Sequence, residues 1–278
     1  MQKEIYAGII TYNPDVSLLK KNILSIINQI DTIIIVDNFS NNLADIEKIA
    51  TENDIILIRN NENKGIACAL NQAMEYGKVN GYNWMLSLDQ DSACPENYYN
   101  AVSKYFSLEN IGIIAPVILD RSLGIIGHNP TGNYKSVNTC ITSGACTKVD
   151  VWDQIGRYDE QMFIDSVDFE FCYRVRKSGY LVIQTSDVQL IHSIGEGKTK
   201  NVFFIKKKIS EHSPFRCFYI AQNRIYYPRK HNLTLYTVRG NYRNFVNILQ
   251  IIFFETDKRK KIIQLIKGWI NGYKLNIK

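Results

Sequence analysis

The sequence predicts an α/β protein with a Rossmann-like, mostly parallel sheet flanked by helices, followed by a basic helical extension. Three observations support this fold class. Short β-rich segments alternate with amphipathic helical segments over the first 120 residues, several of the β-rich segments end in polar residues, and basic charge accumulates after residue 200. With 45% hydrophobic and 22% charged residues among 278, the chain has the composition of a globular protein.

The elements of the first 120 residues follow in a regular order. A buried strand is predicted over 5–11, and Asn13, Pro14 and Asp15 end it and cap a helix over 16–30. The next elements are predicted in this order: strand 32–36, helix 43–52, strand 55–58, helix 66–79, strand 84–88, a helix after Pro95 and strand 111–117. Such alternation is typical of βαβ units, whose strands pair in parallel.

The remainder of the chain has a less regular pattern. Residues 119–138 are predicted to form a loop, followed by a strand over 139–149, a short helix over 151–155 and a helix over 169–177 that ends at Gly179. Beyond residue 200 the pattern is helical. We therefore divide the chain into a domain over 1–200 and a basic, aromatic helical extension over 201–278.

Charge is distributed unevenly between these two parts. Residues 1–200 hold 17 Lys and Arg against 24 Asp and Glu, whereas residues 201–278 hold 16 against 3. Basic and aromatic residues around an apolar segment at 245–254 favour helices that contact an anionic membrane. The alternatives are a helical subdomain with a solvated basic face and a nucleic-acid-binding surface. The acidic first part disfavours an extended nucleic-acid track, so no nucleic-acid partner is expected.

Other features of the sequence indicate the compartment. The N-terminus lacks the pattern of a secretion signal, and no segment approaches the roughly 18 apolar residues that span a bilayer. The six cysteines form no Cys-x-x-Cys pair, which disfavours a zinc knuckle or a disulfide framework. We expect a cytoplasmic protein, peripheral at the inner face of the cell membrane.

Asp89-Gln90-Asp91 is the most informative local motif. Two carboxylates one residue apart at the end of an apolar strand can face a divalent cation and the diphosphate that it binds. A solvated turn explains the motif equally well in isolation, but its position after a buried strand favours a binding site. Thr11 and Asp37 also fall at predicted strand ends, where open α/β sheets bind their ligands.

Three acids, Asp165, Asp168 and Glu170, crowd the predicted start of a helix. One acid near a helix N-terminus already provides the favourable ~0.3–1 kcal/mol of a charged cap. We therefore expect at least one of the three to act as a general base. His192 follows another apolar segment at a strand end, and a purely structural role is its alternative.

Taken in order, these motifs resemble those of the family 2 glycosyltransferases of GT-A fold, and most closely the rhamnosyltransferase branch. The resemblance covers roughly residues 4–200 and rests on Thr11-Tyr12-Asn13, Val36-Asp37-Asn38, Asn63-Lys64-Gly65 with Asn71, Asp89-Gln90-Asp91, Phe163-Ile164-Asp165-Ser166-Val167-Asp168 with Arg174, and His192. It implies that the nucleotide-sugar is bound by Thr11, Tyr12, Asn13, Asp37, Asn38, Lys64, Asn71, Asp89, Gln90 and Gly144. Gly144 would lie beside the donor sugar, although a tight turn explains this glycine almost as well.

The resemblance also implies a divalent metal, Mg²⁺ or Mn²⁺, held by Asp89, Asp91 and His192. Asp168 matches the aspartate of the family's Glu-Asp pair, which is the usual base for an inverting displacement. This sequence departs from the pattern because Val167 occupies the glutamate position. The departure leaves Asp165 and Glu170 as rival bases.

The implied function is transfer of a sugar to a glycan or lipid-linked acceptor in the synthesis of a bacterial cell-surface polysaccharide. The resemblance favours L-rhamnose from dTDP-L-rhamnose, and UDP-hexose and UDP-galactofuranose donors stay open. A nucleotidyltransferase is disfavoured, since Thr11-Tyr12-Asn13-Pro14 is not the Gly-rich loop expected after its first strand.

Overall fold

The computed structural model describes residues 3–120, 124–191, 198–202, 205–209 and 211–277, with backbone alone between 198 and 209. The chain divides into two compact units. The first comprises Met1–Glu160 and Val167–Ile194, and the second comprises Gln161–Ser166 and Gly195–Lys278. The division after residue 200 was predicted from the charge and the expected roles of the two parts of the sequence, and it stays a prediction.

The first unit is built on one mixed, mostly parallel sheet, as the sequence predicts. Its first elements are β1 (Lys3–Thr11), α1 (Val16–Ile26), β2 (Ile33–Asp37), α2 (Leu43–Glu52), β3 (Ile56–Arg59), α3 (Ile66–Val79), β4 (Tyr82–Asp89) and α4 (Tyr98–Ser103). The later ones are β5 (Ile111–Asp120), β6 (Gly124–Ile126), β7 (Tyr134–Ser136), β8 (Ala145–Lys148), α5 (Val149–Gln154), α6 (Val167–Lys177) and β9 (Leu181–Ile191).

The order of strands brings three strand ends together at one edge of the sheet. Among the described residues the order is β3-β2-β1-β4-β8-β5-β9-β7, with β6 paired to β5. Strands β3, β2, β1 and β4 are parallel, and β8 runs antiparallel to both β4 and β5. The carboxyl ends of β1, β2 and β4 therefore lie side by side, with Thr11 paired to Asp37 and Ile10 paired to Asp89.

Burial explains why these strands read as continuous apolar segments. Residues 6–11 of β1 are buried and so is all of β2, because helices cover the faces of the parallel sheet. Helix α1 packs through Leu19, Ile23 and Ile26, whose spacing places them on one face. Asp15 caps this helix by accepting hydrogen bonds from the backbone N–H groups of Ser17 and Leu18.

The region after β5 differs from the sequence-based prediction. The strand predicted over 139–149 is confined to β8, since Gly144 adopts φ +75° and turns the chain immediately before Ala145. The predicted loop over 119–138 contains the end of β5 and the short strands β6 and β7. Helix α1 ends at Ile26, four residues earlier than predicted.

The second unit contains three long helices, as expected from the sequence, and a hairpin that was not expected. The helices are α7 (Pro214–Lys230), α8 (Thr234–Phe254) and α9 (Lys258–Lys274), and the antiparallel strands are β10 (Lys198–Val202) and β11 (Ile205–Ile209). Gly240 and Gly272 lie where helices cross, because a Cβ on either would collide with a backbone carbonyl of α7. No helix in the described part of the chain has both the length and the apolar character needed to span a membrane.

Candidate active site

Asp37 organises the ends of β1 and β2. Its Oδ1 accepts hydrogen bonds from the hydroxyls of Thr11 (2.9 Å) and Ser40 (2.5 Å), and its Oδ2 accepts one from the backbone N–H of Ser40 (2.9 Å). The carboxylate is buried, so these bonds replace the water that it loses on folding. Asp37 thereby positions the two loops that follow β1 and β2. It is also the residue that is predicted to contact the ribose.

Two exposed aromatic side chains stand on these loops. Tyr12 follows β1 and is 49% exposed, and Phe39 follows β2 and is 54% exposed. Phe39 has φ +73°, a conformation that is uncommon for a bulky residue and points to a functional constraint. Planar aromatic rings at a strand end suit the stacking of a nucleotide base. Phe39 was not among the residues predicted from the sequence, although its position directly after Asp37-Asn38 was the available signal.

Asn13 links the same two loops through hydrogen bonds. Its backbone N–H donates to the Ser40 hydroxyl at 2.8 Å, and its Oδ1 accepts from the backbone N–H of Asn41 at 2.8 Å. Asn13 also lies in the left-handed region, with φ 48°, where asparagine is better tolerated than most residues. Its predicted place at the nucleotide site is therefore accompanied by a clear structural role.

Asn38 connects the end of β2 to the loop before α3. Its Oδ1 accepts hydrogen bonds from the backbone N–H of Lys64 (3.0 Å) and the side chain of Asn60 (3.1 Å). Its Nδ2 donates to Asn63 Oδ1 (2.9 Å) and to the carbonyl of Gly65 (3.2 Å). The amide of Asn38 is fully used, so it brings Lys64 to the site and has little capacity left for a ligand.

The Asp89-Gln90-Asp91 loop is fixed from several sides. Gln90 Oε1 accepts from the backbone N–H of Tyr12 at 2.9 Å, and Asn22 Nδ2 donates to the carbonyl of Asp89 at 2.6 Å. Asp91 is exposed at the tip of the loop. The structure therefore brings Tyr12, Gln90 and the two aspartates to one edge of the sheet.

The Asp89-Gln90-Asp91 loop offers two carboxylates to a divalent metal, which is fewer ligands than a complete protein site has. The described residues contain no cluster of three or more His, Cys, Asp or Glu side chains that could hold an ion. Asp89 and Asp91 alone match the one or two carboxylates that Mg²⁺ takes when a substrate diphosphate supplies further ligands. The third predicted ligand, His192, lies outside the described residues. The adjacent Ile191 forms a β-bridge with Ala93, two residues after Asp91.

Asn71, a predicted nucleotide contact, is engaged in hydrogen bonds within the protein. Its Nδ2 donates to the carbonyl of Tyr158 (2.9 Å) and to Glu160 (2.8 Å), and its Oδ1 accepts from Trp152 Nε1 (3.0 Å) and the N–H of Tyr158 (2.9 Å). The side chain is buried, and these four bonds use its hydrogen-bonding capacity. Asn71 therefore holds the chain after α5 against α3, and its contact with the nucleotide stays a prediction.

Gly144 has a structural role in the turn before β8. With φ +75°, a Cβ at this position would lie 2.8 Å from the Leu190 side chain and 3.0 Å from Pro116. The preceding Ser143 hydroxyl lies 2.6 Å from that of Ser92 and 3.3 Å from the backbone N–H of Asp89. The geometry favours the tight turn, the second of the two explanations offered for Gly144, and this turn supports the Asp89 loop.

The acid cluster is divided between the two units. In the second unit, Asp165 forms an ion pair with Arg216 at 2.8 Å, and Asn223 donates to the Asp165 carbonyl at 2.7 Å. Asp165 and Ser166 both have positive φ, so this segment is a constrained turn. These interactions give Asp165 a structural explanation and weaken it as a rival base.

In the first unit, α6 carries the other two acids. Glu170 is fully buried and pairs with Arg174, one helical turn away, at 2.8 Å. Arg174 also donates to the carbonyls of Ile155 and Arg157, so Glu170 supports a structural cation. Asp168 is partly exposed, accepts from the N–H of Phe169 at 2.9 Å and lines a small cavity with Cys140 and Tyr158. Of the three acids, Asp168 is the one that lines this cavity.

Two curated relatives are similar to the chain over most of its length. The chain is 30% identical to the dTDP-rhamnosyl transferase RfbF of Shigella flexneri over 98% of this chain and 96% of that protein. It is 23% identical to the low-salt glycan biosynthesis hexosyltransferase Agl10 of Haloferax volcanii over 74% of this chain and 72% of that protein.

Solved structures share the fold. The S. aureus TarS 1-349 complex with UDP-GlcNAc matches with a TM-score of 0.61 at 13% identity, covering 98% of this chain and 81% of that one. GalNAc-T7 with UDP, GalNAc and Mn²⁺ also matches with a TM-score of 0.61, at 14% identity over 86% of this chain, which spans 55% of that one. The sheet is thus that of a GT-A glycosyltransferase, and the model of glycosyl transferase family 2 matches residues 6–156. The protein is a glycosyltransferase and belongs to family 2.

Proposed function

We propose that this enzyme transfers L-rhamnose from dTDP-L-rhamnose, with inversion, to a glycan or lipid-linked acceptor of a bacterial cell-surface polysaccharide. The observation that carries the proposal is the grouping of Thr11, Asp37 and Asp89 at adjacent strand ends, with Asp91 exposed beside them. The similarity to a dTDP-rhamnosyl transferase along nearly the whole chain favours this donor over a UDP-hexose or UDP-galactofuranose.

The nucleotide is assigned to the loops after β1 and β2. The rings of Tyr12 and Phe39 are exposed there and offer flat apolar surface to a pyrimidine base. Asp37 is anchored by Thr11 and Ser40, so its remaining acceptor capacity is directed toward a ribose hydroxyl. Lys64 lies on the next loop and supplies a cation for the diphosphate.

We further propose that Asp91, with Asp89, binds Mg²⁺ or Mn²⁺ together with the donor diphosphate. His192 is the proposed third ligand, and the bridge between Ile191 and Ala93 supports it because that bridge brings the chain to the Asp91 loop. When bound, the metal neutralises the negative charge that develops on the leaving nucleoside diphosphate. Gln90 and Asn22 hold the loop in place through hydrogen bonds to backbone groups of Tyr12 and Asp89.

Asp168 is the proposed general base. Its carboxylate takes the proton of the acceptor hydroxyl while that oxygen forms a bond to the anomeric carbon of the donor. The bond from the anomeric carbon to the diphosphate oxygen breaks, and the nucleoside diphosphate leaves with its electron pair. A single in-line displacement of this kind inverts the anomeric configuration. Asp168 suits the role because it is partly exposed and lines a cavity, whereas Glu170 is buried against Arg174.

The second unit is proposed to contact an anionic membrane, where lipid-linked acceptors lie. Exposed apolar residues form a stripe along α8 at a spacing of three or four, including Leu235, Val238, Tyr242, Phe245, Leu249 and Ile252. Helix α9 has a second stripe of the same spacing, comprising Ile263, Ile266, Ile270 and Tyr273. Large apolar surfaces that remain exposed on a folded helix indicate an interaction site.

The charge near these two apolar stripes favours an anionic lipid surface over a second copy of this chain as their partner. Exposed basic residues accompany them on the same two helices, namely Arg239, Arg243, Lys258, Arg259, Lys260, Lys267 and Lys274. Apolar side chains with flanking cations match the acyl chains and phosphates of an anionic lipid surface. Two such faces in separate copies of this chain would repel each other, so self-association is disfavoured.

Calorimetric and thermal-shift binding of a nucleotide panel tests the donor assignment. The panel contains dTDP, dTDP-L-rhamnose, UDP, UDP-glucose and UDP-galactofuranose, each with Mn²⁺ and with a chelator. A larger Mn²⁺-dependent stabilisation by the dTDP ligands is expected, because a ligand that binds the native state raises its apparent stability. Preference for a UDP-sugar would replace the donor, and absence of any nucleotide response would overturn the proposed function.

A further inference from the structure

The first unit contains a pocket that the proposed donor site does not use. It has a volume of about 190 Å³ and lies between β5, β6, β9 and the start of α6. Its walls are mainly apolar, with Pro116, Ile118, Ile126 and Phe169 among the lining residues. Phe169 is 40% exposed, so the pocket opens to solvent. The volume far exceeds the ~30 Å³ of one water molecule, so a sizeable substituent fits.

One polar group in this pocket has an unused hydrogen-bond acceptor. Gln184 lines the pocket and is only 4% exposed. Its Nε2 donates to the carbonyl of Pro116 at 2.8 Å, which orients the amide, and its Oε1 has no partner among the described residues. A buried carbonyl without a partner is costly, by about 1–3 kcal/mol, so the unpartnered Oε1 indicates a ligand that donates to it.

The pocket lies on the side of the candidate base. Cys140 and Ile141 line both this pocket and the small cavity that contains Asp168. Phe169 follows Asp168 directly and donates its backbone N–H to the Asp168 carboxylate. None of the residues at the ends of β1, β2 and β4 lines the pocket. A group bound here therefore belongs to the substrate whose hydroxyl meets Asp168, which is the acceptor.

We propose that this pocket binds the acetamido group of an N-acetylated acceptor sugar. The methyl of such a group matches the apolar walls, and its N–H donates to Gln184 Oε1, so one substituent satisfies both features of the site. A hydroxyl lacks the methyl, and the methyl of a deoxy sugar carries no donor. The inference rests on the proposed function only in assigning Asp168 to the acceptor.

Ligand-observed saturation-transfer NMR tests the proposal without donor. The probes are methyl N-acetyl-β-glucosaminide and methyl β-glucoside, which differ in the acetamido group. Saturation is expected at the acetyl methyl of the first sugar and far weaker transfer to the second. Equal transfer to both sugars would overturn the proposal. Because no donor is present, a failure of the nucleotide panel would leave this outcome unaffected, and the two failures are distinguishable.

Three variants locate the binding site. Ile126→Trp fills the pocket, and Ile125→Trp is its matched control, since Ile125 is exposed on the same strand and does not line the pocket. Gln184→Met keeps length but removes the acceptor. We expect Ile126→Trp to abolish binding of the N-acetylated sugar, Gln184→Met to weaken it about tenfold, and Ile125→Trp to leave it unchanged. Thermal melts verify that each variant is folded.

Nucleotide binding by the same variants completes the test. Stabilisation by dTDP-L-rhamnose with Mn²⁺ is expected to be the same in Ile126→Trp and Ile125→Trp, since the pocket is assigned to the acceptor. Loss of this stabilisation in Ile126→Trp but not in Ile125→Trp would assign the pocket to the donor sugar and overturn the proposal. Equal sugar binding by the two Trp variants would overturn it as well.

Discussion

Asp165 and Arg216 form a bidentate ion pair, with Arg216 Nη2 2.8 Å from Asp165 Oδ1 and Nε 3.1 Å from Oδ2. Their hydrogen bonds raise the pKa of Arg216, and the planar fork matches the carboxylate geometry. Asp165 is thereby part of the structure of the second unit. The two aspartates that the sequence offered as bases therefore differ in their surroundings, because Asp165 is held by Arg216 whereas Asp168, on α6, is partly exposed and lines a cavity.

Asp168→Asn is expected to lower kcat by about 10²–10⁴, the usual contribution of a general base, while stabilisation by dTDP-L-rhamnose is retained. Asp165→Asn is the matched control and is expected to lower kcat by less than about tenfold, because it removes a charge that does not meet substrate. Steady-state kinetics at saturating donor measure both. A larger loss of kcat in Asp165→Asn than in Asp168→Asn would assign the role of general base to Asp165.

Asp91→Ala is expected to weaken metal affinity by at least about 100-fold, since it removes an exposed carboxylate from the proposed site. The measurement is Mn²⁺ titration of the nucleotide-bound enzyme by calorimetry. Glu96→Ala is the control, because Glu96 is an exposed acid five residues away. Identical Mn²⁺ titrations for the two variants would exclude Asp91 as a ligand.

Phe39→Ala is expected to weaken dTDP binding by about tenfold, since aromatic stacking on a base contributes roughly 1–3 kcal/mol. Leu24→Ala provides the comparison, because Leu24 is an exposed apolar residue on α1 away from the strand ends. Calorimetry with dTDP measures both affinities. An unchanged affinity in Phe39→Ala would leave base stacking to Tyr12 alone.

Phe245→Asp is expected to weaken binding to vesicles that contain anionic lipid by about tenfold or more, because burial of a large apolar side chain is worth roughly 1.5–3 kcal/mol. Binding of the native chain should also fall with added salt, since salt screens the basic residues. Vesicle co-sedimentation measures both effects, with Leu24→Asp as the control. Equal binding to purely zwitterionic vesicles would contradict the electrostatic part of the proposal.

Lys261→Met is expected to destabilise the protein by about 3 kcal/mol, because Lys261 is 3% exposed and donates to Glu211 at 2.8 Å and to Glu255 at 3.0 Å. The substitution would leave Glu255 buried without its cation. Lys260→Met changes an exposed neighbour and should have little effect. Urea unfolding compares the two variants, and equal midpoints would show that the buried ion pair adds nothing.

The same cluster predicts how stability depends on pH. Hydrogen bonds from Lys261 and Thr256 lower the pKa of Glu211 from 4.5 to about 2. The unfolded state then binds protons more readily than the folded state, so the contribution of Glu211 is complete above pH 4.5 and is lost as the pH falls toward 2. Thermal melts over this range measure it. Lys261→Met should flatten the dependence.

The sequence allowed the first half of the fold to be predicted closely. The bounds predicted for α2 and α3 coincide with those observed, because their apolar residues repeat with the helical period. The proximity of Thr11, Asp37 and Asp89 also followed from local pattern, since parallel strands place their carboxyl ends at one edge.

Other features depend on contacts between distant residues and could not be predicted. Strand β8 pairs between β4 and β5, about 60 and 30 residues away along the chain, and no local period encodes that choice. The side chain of Asn71 bonds to Tyr158, 87 residues away, which no spacing within α3 reveals. The membership of Gln161–Ser166 in the second unit depends likewise on Arg216 and Asn223.

Strand β8 lies between two blocks of parallel strands in the sheet. It runs antiparallel to both neighbours and, among the described strands, lies between the block formed by β1 to β4 and the block formed by β5 and β9. The bridge between Ala93 and Ile191 is a further link between the two blocks. The proposed nucleotide site belongs to the first block, and the pocket beside Gln184 to the second. Strands β3, β2, β1 and β4 pair in parallel with one another, and β5 pairs in parallel with β9. We therefore expect that substitutions around the Gln184 pocket can change what it binds while the ends of β1, β2 and β4 keep their arrangement.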